Sequence, residues 1–155
     1  MQENTFPQIS LDLLRLHQHT CRTLLATGGC QNCQIHNPVY VTLDGRYYVC
    51  LPCMPADNTG ILLIEDENAQ ARLSWVATAR EVKQKESAYE RVISALQHRM
   101  PRSEQQTPPS SRTHLLELTP QQGRLTTGSK DLSLTPHDLV KALYPAKQKV
   151  AEFAL

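Results

Sequence analysis

Residues 38–51 read PVYVTLDGRYYVCL, and the fold turns on this stretch. From Pro38 to Leu43 and from Tyr47 to Leu51 it is rich in Val, Tyr and Thr, whose branched or aromatic side chains suit a pleated, half-buried surface. Between the two runs, Asp44-Gly45 supplies the left-handed backbone that a tight hairpin turn needs. Two antiparallel strands are therefore expected, joined by that dipeptide.

Working outward, the neighbouring segments have the same character. Cys21 to Thr27 reads as a short strand stopped by Gly28-Gly29, and Ile61 to Ile64 is an apolar run of strand length. From Arg72 to Val82, Leu73, Trp75, Ala77 and Ala79 alternate with Arg72, Ser74, Thr78 and Arg80, so one face is buried and the other meets water or a partner. Two further strands are expected at His114–Leu118 and Arg124–Thr127, separated by a turn at Gln121–Gly123. Three helices punctuate the series. Ser10 is a candidate cap for a helix carrying Leu11, Leu13, Leu14 and Leu16 up to about Thr20. From Glu86, Tyr89, Val92, Ile93, Leu96 and Met100 form a stripe of period 3.6 that Pro101 ends. Thr135-Pro136 opens a last helix, with Leu139, Val140 and Leu143 facing inward and Pro145 beyond its end. Six or so strands interrupted by single helices lack the regular alternation of a parallel sheet. The expected class is α+β: an antiparallel β-barrel with peripheral helices.

The chain has 155 residues, the size of one ordinary domain. We place that domain at 1–145, including a Pro-, Ser- and Gln-rich mobile connection at 101–112, and read 146–155 as a C-terminal tail. Lys and Arg total 16 against 15 Asp and Glu, for a net charge of +1, which provides no broad basic field for nucleic acid or anionic lipid. The polar start from Met1 to Pro7 lacks a signal-peptide pattern, and no run approaches the length of a membrane span, so a cytoplasmic protein is expected. No Ser-His-Asp pattern, phosphate loop or paired-carboxylate signature supports a hydrolase or kinase.

Two C-x2-C pairs stand out, Cys30/Cys33 and Cys50/Cys53, with 34–49 between them. This spacing suits four thiolates around a structural zinc, and the hairpin brings the neighbourhood of Cys33 towards that of Cys53. Four reduced thiols are the alternative reading, and a third is a thiol redox protein using the C-x2-C pairs, which requires a low thiolate pKa in at least one of them. His36 lies between the pairs and is a candidate ligand for metal or haem, although a loop histidine is most simply solvated.

The segment Leu62 to Arg99, with Leu63-Ile64-Glu65-Asp66-Glu67, Ala71-Arg72-Leu73-Ser74 and Leu96-Gln97-His98-Arg99, resembles haem-utilisation proteins of the HugZ/HutZ type. A second block, Leu116-Glu117-Leu118-Thr119-Pro120-Gln121-Gln122-Gly123 followed by Asp138-Leu139-Val140, is similar to the same proteins at the same distance downstream. The resemblance implies a split β-barrel of the pyridoxamine 5'-phosphate oxidase-like, FMN-binding superfamily. It further implies a homodimer with haem or FMN in clefts at the subunit interface, and a role in haem degradation for several relatives. The resemblance implies a haem-degrading or flavin-dependent oxidoreductase; the alternative, favoured by the chain's departures from the family, is a cofactor-less, zinc-stabilised dimeric barrel acting as a binding or interaction module. Arg72 matches the family pattern on a barrel strand, which makes it the candidate for holding a phosphate or haem propionate; pairing with Glu65 or Glu67 is its simpler role. The chain departs from the family at 50–58, where a segment that helps hold the flavin phosphate in relatives is cut short. It departs again at Gln70-Ala71, where relatives carry cations, and at its C-terminal end, where no histidine follows His137.

Overall fold

The computed structural model describes residues 5–28, 33–100 and 113–144. Cys30, the connection at 101–112 and the tail at 146–155 lie outside the described residues. The elements run α1 (Thr5–His19), β1 (Leu24–Thr27), β2 (Gln34–His36), β3 (Tyr40–Leu43), β4 (Arg46–Leu51), β5 (Thr59–Asp66), β6 (Ala71–Glu81), α2 (Tyr89–Arg99), β7 (His114–Thr127), β8 (Lys130–Leu134) and α3 (Pro136–Leu143).

The strands form one antiparallel sheet ordered β2-β1-β5-β6-β7-β4-β3, with β8 also paired to β7. The sheet curls until its ends meet. Leu25 faces His36 across β1 and β2, and Arg22 faces Val39 in the same register. Backbone hydrogen bonds from Thr23 to Pro38 and from Tyr40 to Cys21 complete the seam. β2 and β3 therefore act as one strand interrupted at Asn37-Pro38, where proline has no N–H to offer a ladder. The ring closes, and closure removes the unpaired edges that an open sheet would expose.

The hairpin forms as expected. Asp44 (φ 53°) and Gly45 (φ 77°) both adopt the left-handed conformation, and Tyr40 pairs with Val49 across it. Alternate residues then fill the barrel: Tyr47, Val49, Leu51, Leu62, Ile64, Leu73, Trp75, Ala77, Leu116, Leu118 and Leu125 join one core together with Leu13 and Leu16 of α1 and Leu139 of α3. The opposite face of β3, β4 and β7 contributes Val41, Tyr48 and Leu115 to a second cluster under Val92 and Leu96 of α2. Thr135 caps α3 with a full capping box to Asp138, and Pro136 starts the helix.

Four expectations are corrected. α1 begins at Thr5, so Ser10 lies inside it; Pro7 is tolerated because a first helical turn has N–H groups without partners in any case. β7 is one continuous strand, where two strands and a turn were expected. The Gln121-Gln122-Gly123 run is taken up by a bulge opposite Val76/Ala77, and Gly123 is needed because a Cβ there would stand 2.5 Å from the Trp75 ring. β2 and β8 were not expected, which raises the strand count to eight.

A polar chain crosses the core. Nδ1 of His17 is 2.6 Å from the carbonyl oxygen of Leu13, which can only accept, so Nδ1 carries the proton. Nε2 then accepts from the Tyr47 hydroxyl at 2.7 Å, and that hydroxyl accepts from the Trp75 indole N–H at 3.0 Å. Each member is satisfied, as buried polar groups must be.

Candidate functional site

The outer wall of β2, β1, β5, β6, β7 and β8 carries three parallel rows of side chains, set by the register. In the first row Ile35 faces Ala26, Ala26 faces Ile61, Ile61 faces Val76 and Val76 faces Gln122. In the second, Leu24 faces Leu63, Leu63 faces Ser74, Ser74 faces Arg124 and Arg124 faces Ser133. The third runs Glu65, Arg72, Thr126, Asp131. The wall thus grades from apolar through mixed to charged. Ile35 (71 %), Ile61 (51 %), Val76 (43 %) and Leu24 (40 %) supply four of the six large exposed hydrophobic side chains among the described residues. Scattered exposed apolar residues are ordinary, whereas a contiguous patch marks a contact surface.

Where the first two rows reach β7 and β8 there is an open cleft of about 470 Å³. Ile61 and Val76 line its apolar side, and Ser74, Gln122, Arg124 and Ser133 its polar side. The guanidinium of Arg124 is held by Asp131 at 2.7 Å.

Arg72 lies one row further on, in a second cleft of about 350 Å³ shared with Glu65, Asp66 and Glu67. It bonds Glu65 at 3.4 Å, the simpler of the two roles read for it in the sequence, and the carboxylates around it work against an anion. His36 is half-buried at the end of β2, opposite Leu25.

The described cysteines of the two pairs differ in burial. Cys33 and Cys53 are exposed and Cys50 is half-buried, packed against the cluster under α2. Burial pushes the Cys50 thiol up to about 11, whereas zinc takes thiolates. Among the described residues no three His, Cys, Asp or Glu side chains come together as a metal site, so Cys33, Cys50 and Cys53 do not form one between them.

Elsewhere, His114 donates from Nδ1 to Glu81 at 2.7 Å, and Lys83 bonds the other Glu81 oxygen at 2.7 Å. Those two hydrogen bonds, from Lys83 first, hold the Glu81 carboxyl below its usual range. His17, at the barrel centre, is lowered to about 4, chiefly by desolvation.

Haem and FMN, the two cofactors the family resemblance implies, make different demands on the wall. The lining of the 470 Å³ cleft contains no His, Cys, Met or Tyr side chain, so it has no conventional ligand for haem iron. It does have an apolar side for a planar ring, and Arg124 with two hydroxyls for an anionic group. The fit is to the ring and the anion, and the metal would find no ligand in this lining. Sequence reasoning singled out Arg72 and passed over Arg124, because the family pattern highlighted the former and only the register shows which cation faces the apolar rows.

An antiparallel barrel of this topology, wrapped by three helices, is a split-barrel fold. No protein-family model matches the chain, and no curated protein matches it significantly. Solved structures do. HutZ, the haem storage protein from Vibrio cholerae, superposes with a TM-score of 0.62 at 21% identity over 78% of this chain and 92% of that one. A protein from Clostridium acetobutylicum related to general stress protein 26, of the pyridoxinephosphate oxidase family, gives 0.62 at 13% identity over 85% and 97%. A haem-binding protein from Mycobacterium smegmatis gives 0.62 at 18% over 84% of this chain and 59% of that one. At these identities the likeness establishes the fold.

Proposed function

We propose that the chain is a haem- or flavin-binding split barrel that works as a homodimer, with the ligand in the cleft where the wall meets β7 and β8. The observation that carries this reading is the continuity of apolar row and cleft: Ile61 and Val76 belong to both. A second copy covering Ile35, Ile61, Val76 and Leu24 would bury exposed apolar surface, the usual driving force of association, and would convert the open cleft into an enclosed one. That solved neighbours include a haem storage protein and a member of the pyridoxinephosphate oxidase family supports the ligand class. Any redox chemistry would belong to the bound cofactor; the chain contributes position, charge and exclusion of water.

The test adds hemin and FMN separately to the purified full chain and measures its mass in solution. A dimer that shifts the Soret band or quenches flavin fluorescence at about one site per protomer is expected. No response to either ligand at micromolar concentration would overturn the reading.

The thiol redox alternative is weakened at one position. An attacking thiol needs a pKa near the ambient pH, and burial pushes Cys50 up to about 11, which makes it a poor attacking thiol.

A further inference from the structure

We infer that Arg124 is the anion-binding residue of the cleft, and that Asp131 occupies it as an internal competitor until a ligand bearing a phosphate or carboxylate displaces it. This rests on the ligand-binding reading above and names the chemistry of that same site.

Arg124 stands directly opposite Ser74 on β6 and Ser133 on β8. Side chains directly opposite in antiparallel strands have Cβ atoms roughly 5 Å apart, so one guanidinium and two hydroxyls share a single row. All three line the cleft whose other side is Ile61 and Val76. A fork of planar N–H donors flanked by hydroxyls matches the oxygens of a phosphate or carboxylate, and the apolar side matches a ring system. The ligand class is therefore a planar apolar molecule with an anionic substituent.

Asp131 holds the guanidinium at 2.7 Å, yet both side chains are largely in water, with 59% and 50% exposed. An exposed pair of this kind contributes little, so it orients Arg124 without locking it. Arg72 cannot serve in its place, since it shares its cleft with Glu65, Asp66 and Glu67.

Matched ligand pairs isolate the anion: FMN against riboflavin for phosphate, and hemin against hemin dimethyl ester for carboxylate. Each is titrated into wild type, Arg124→Gln and Asp131→Asn, with oligomeric state and melting temperature as controls. The pair that discriminates identifies the source of the anion. In wild type, the anionic member of that pair binds about tenfold tighter than its neutral partner. Arg124→Gln brings the two together by weakening only the anionic member. Asp131→Asn strengthens the anionic member about threefold or more and leaves the neutral one unchanged, a gain that misfolding does not mimic. Ligands that bind wild type with no preference for the anion, or a preference that survives Arg124→Gln, overturn this inference and leave the broader reading standing. Failure of all four ligands to bind overturns both.

Discussion

The hydroxyl of Tyr47 donates to Nε2 of His17 across 2.7 Å in the middle of the barrel, so the imidazole is held neutral. Protonating it would remove the acceptor and leave a charge among Leu13, Leu16 and Tyr40. Burial pulls its pKa down to about 4, below the ordinary 6.5. The unfolded chain therefore binds a proton first as the pH falls. This contribution to stability is complete above pH 6.5 and is lost between 6.5 and 4, about 3 kcal/mol in all at roughly 1.4 kcal/mol per unit. The lowered carboxyls of Glu81 and Glu86 lose their contributions further down, below their ordinary value of 4.5. Urea unfolding at pH 7.5, 5.5 and 4.5 is expected to show a slope that His17→Gln abolishes; equal slopes in the two proteins would refute the assignment.

Gly123→Ala is expected to destabilise the barrel by about 1–3 kcal/mol, the usual cost of overpacking, because the new Cβ would stand 2.5 Å from Cε3 and Cζ3 of Trp75. The accompanying sign is a change in Trp75 fluorescence. An alanine variant as stable as wild type would show that the indole has room to retreat.

If the chain dimerises through the wall as proposed, introducing Asp at Ile61 or Val76 is expected to yield a folded monomer. Both side chains are exposed in the single chain, so a charge there costs the fold little and an apolar interface much. Sedimentation equilibrium decides; variants that remain dimeric would move the contact to another face.

Alkylation followed by peptide mapping is expected to label Cys33 and Cys53 readily at pH 8 and Cys50 slowly until the pH nears 11. Metal analysis of the same sample addresses zinc. Held by Cys30, Cys33, Cys50 and Cys53, it would appear at about one per chain, with Cys50 reactive only after chelation. Metal-free protein of unchanged fold would dispose of that arrangement.

Local signals in the sequence carried most of the architecture. Asp44-Gly45 announced its hairpin because two adjacent left-handed residues have few other uses. Thr135-Pro136 announced α3 through its cap. Gly123 misled, since it reads as a turn but serves the Trp75 ring across the strand, a reason that exists only once β6 and β7 are paired. β2 has three residues, too few for periodicity to register. The wall was half legible: the alternation along 72–80 showed one wet face, yet the gathering of Ile35, Ile61 and Val76 into one row depends on the register of four strands. Arg124 went unread for the same reason.

β7 is the keystone of the ring, pairing with β4 through Tyr47–Leu118 and with β6 through Ala71–Thr127. On the ribosome, the N-terminal hairpins therefore emerge well before the strand that joins them. Until residue 127 has cleared the exit tunnel, β4 and β6 lack the neighbour that covers their flanks, so the ring can close only late in synthesis.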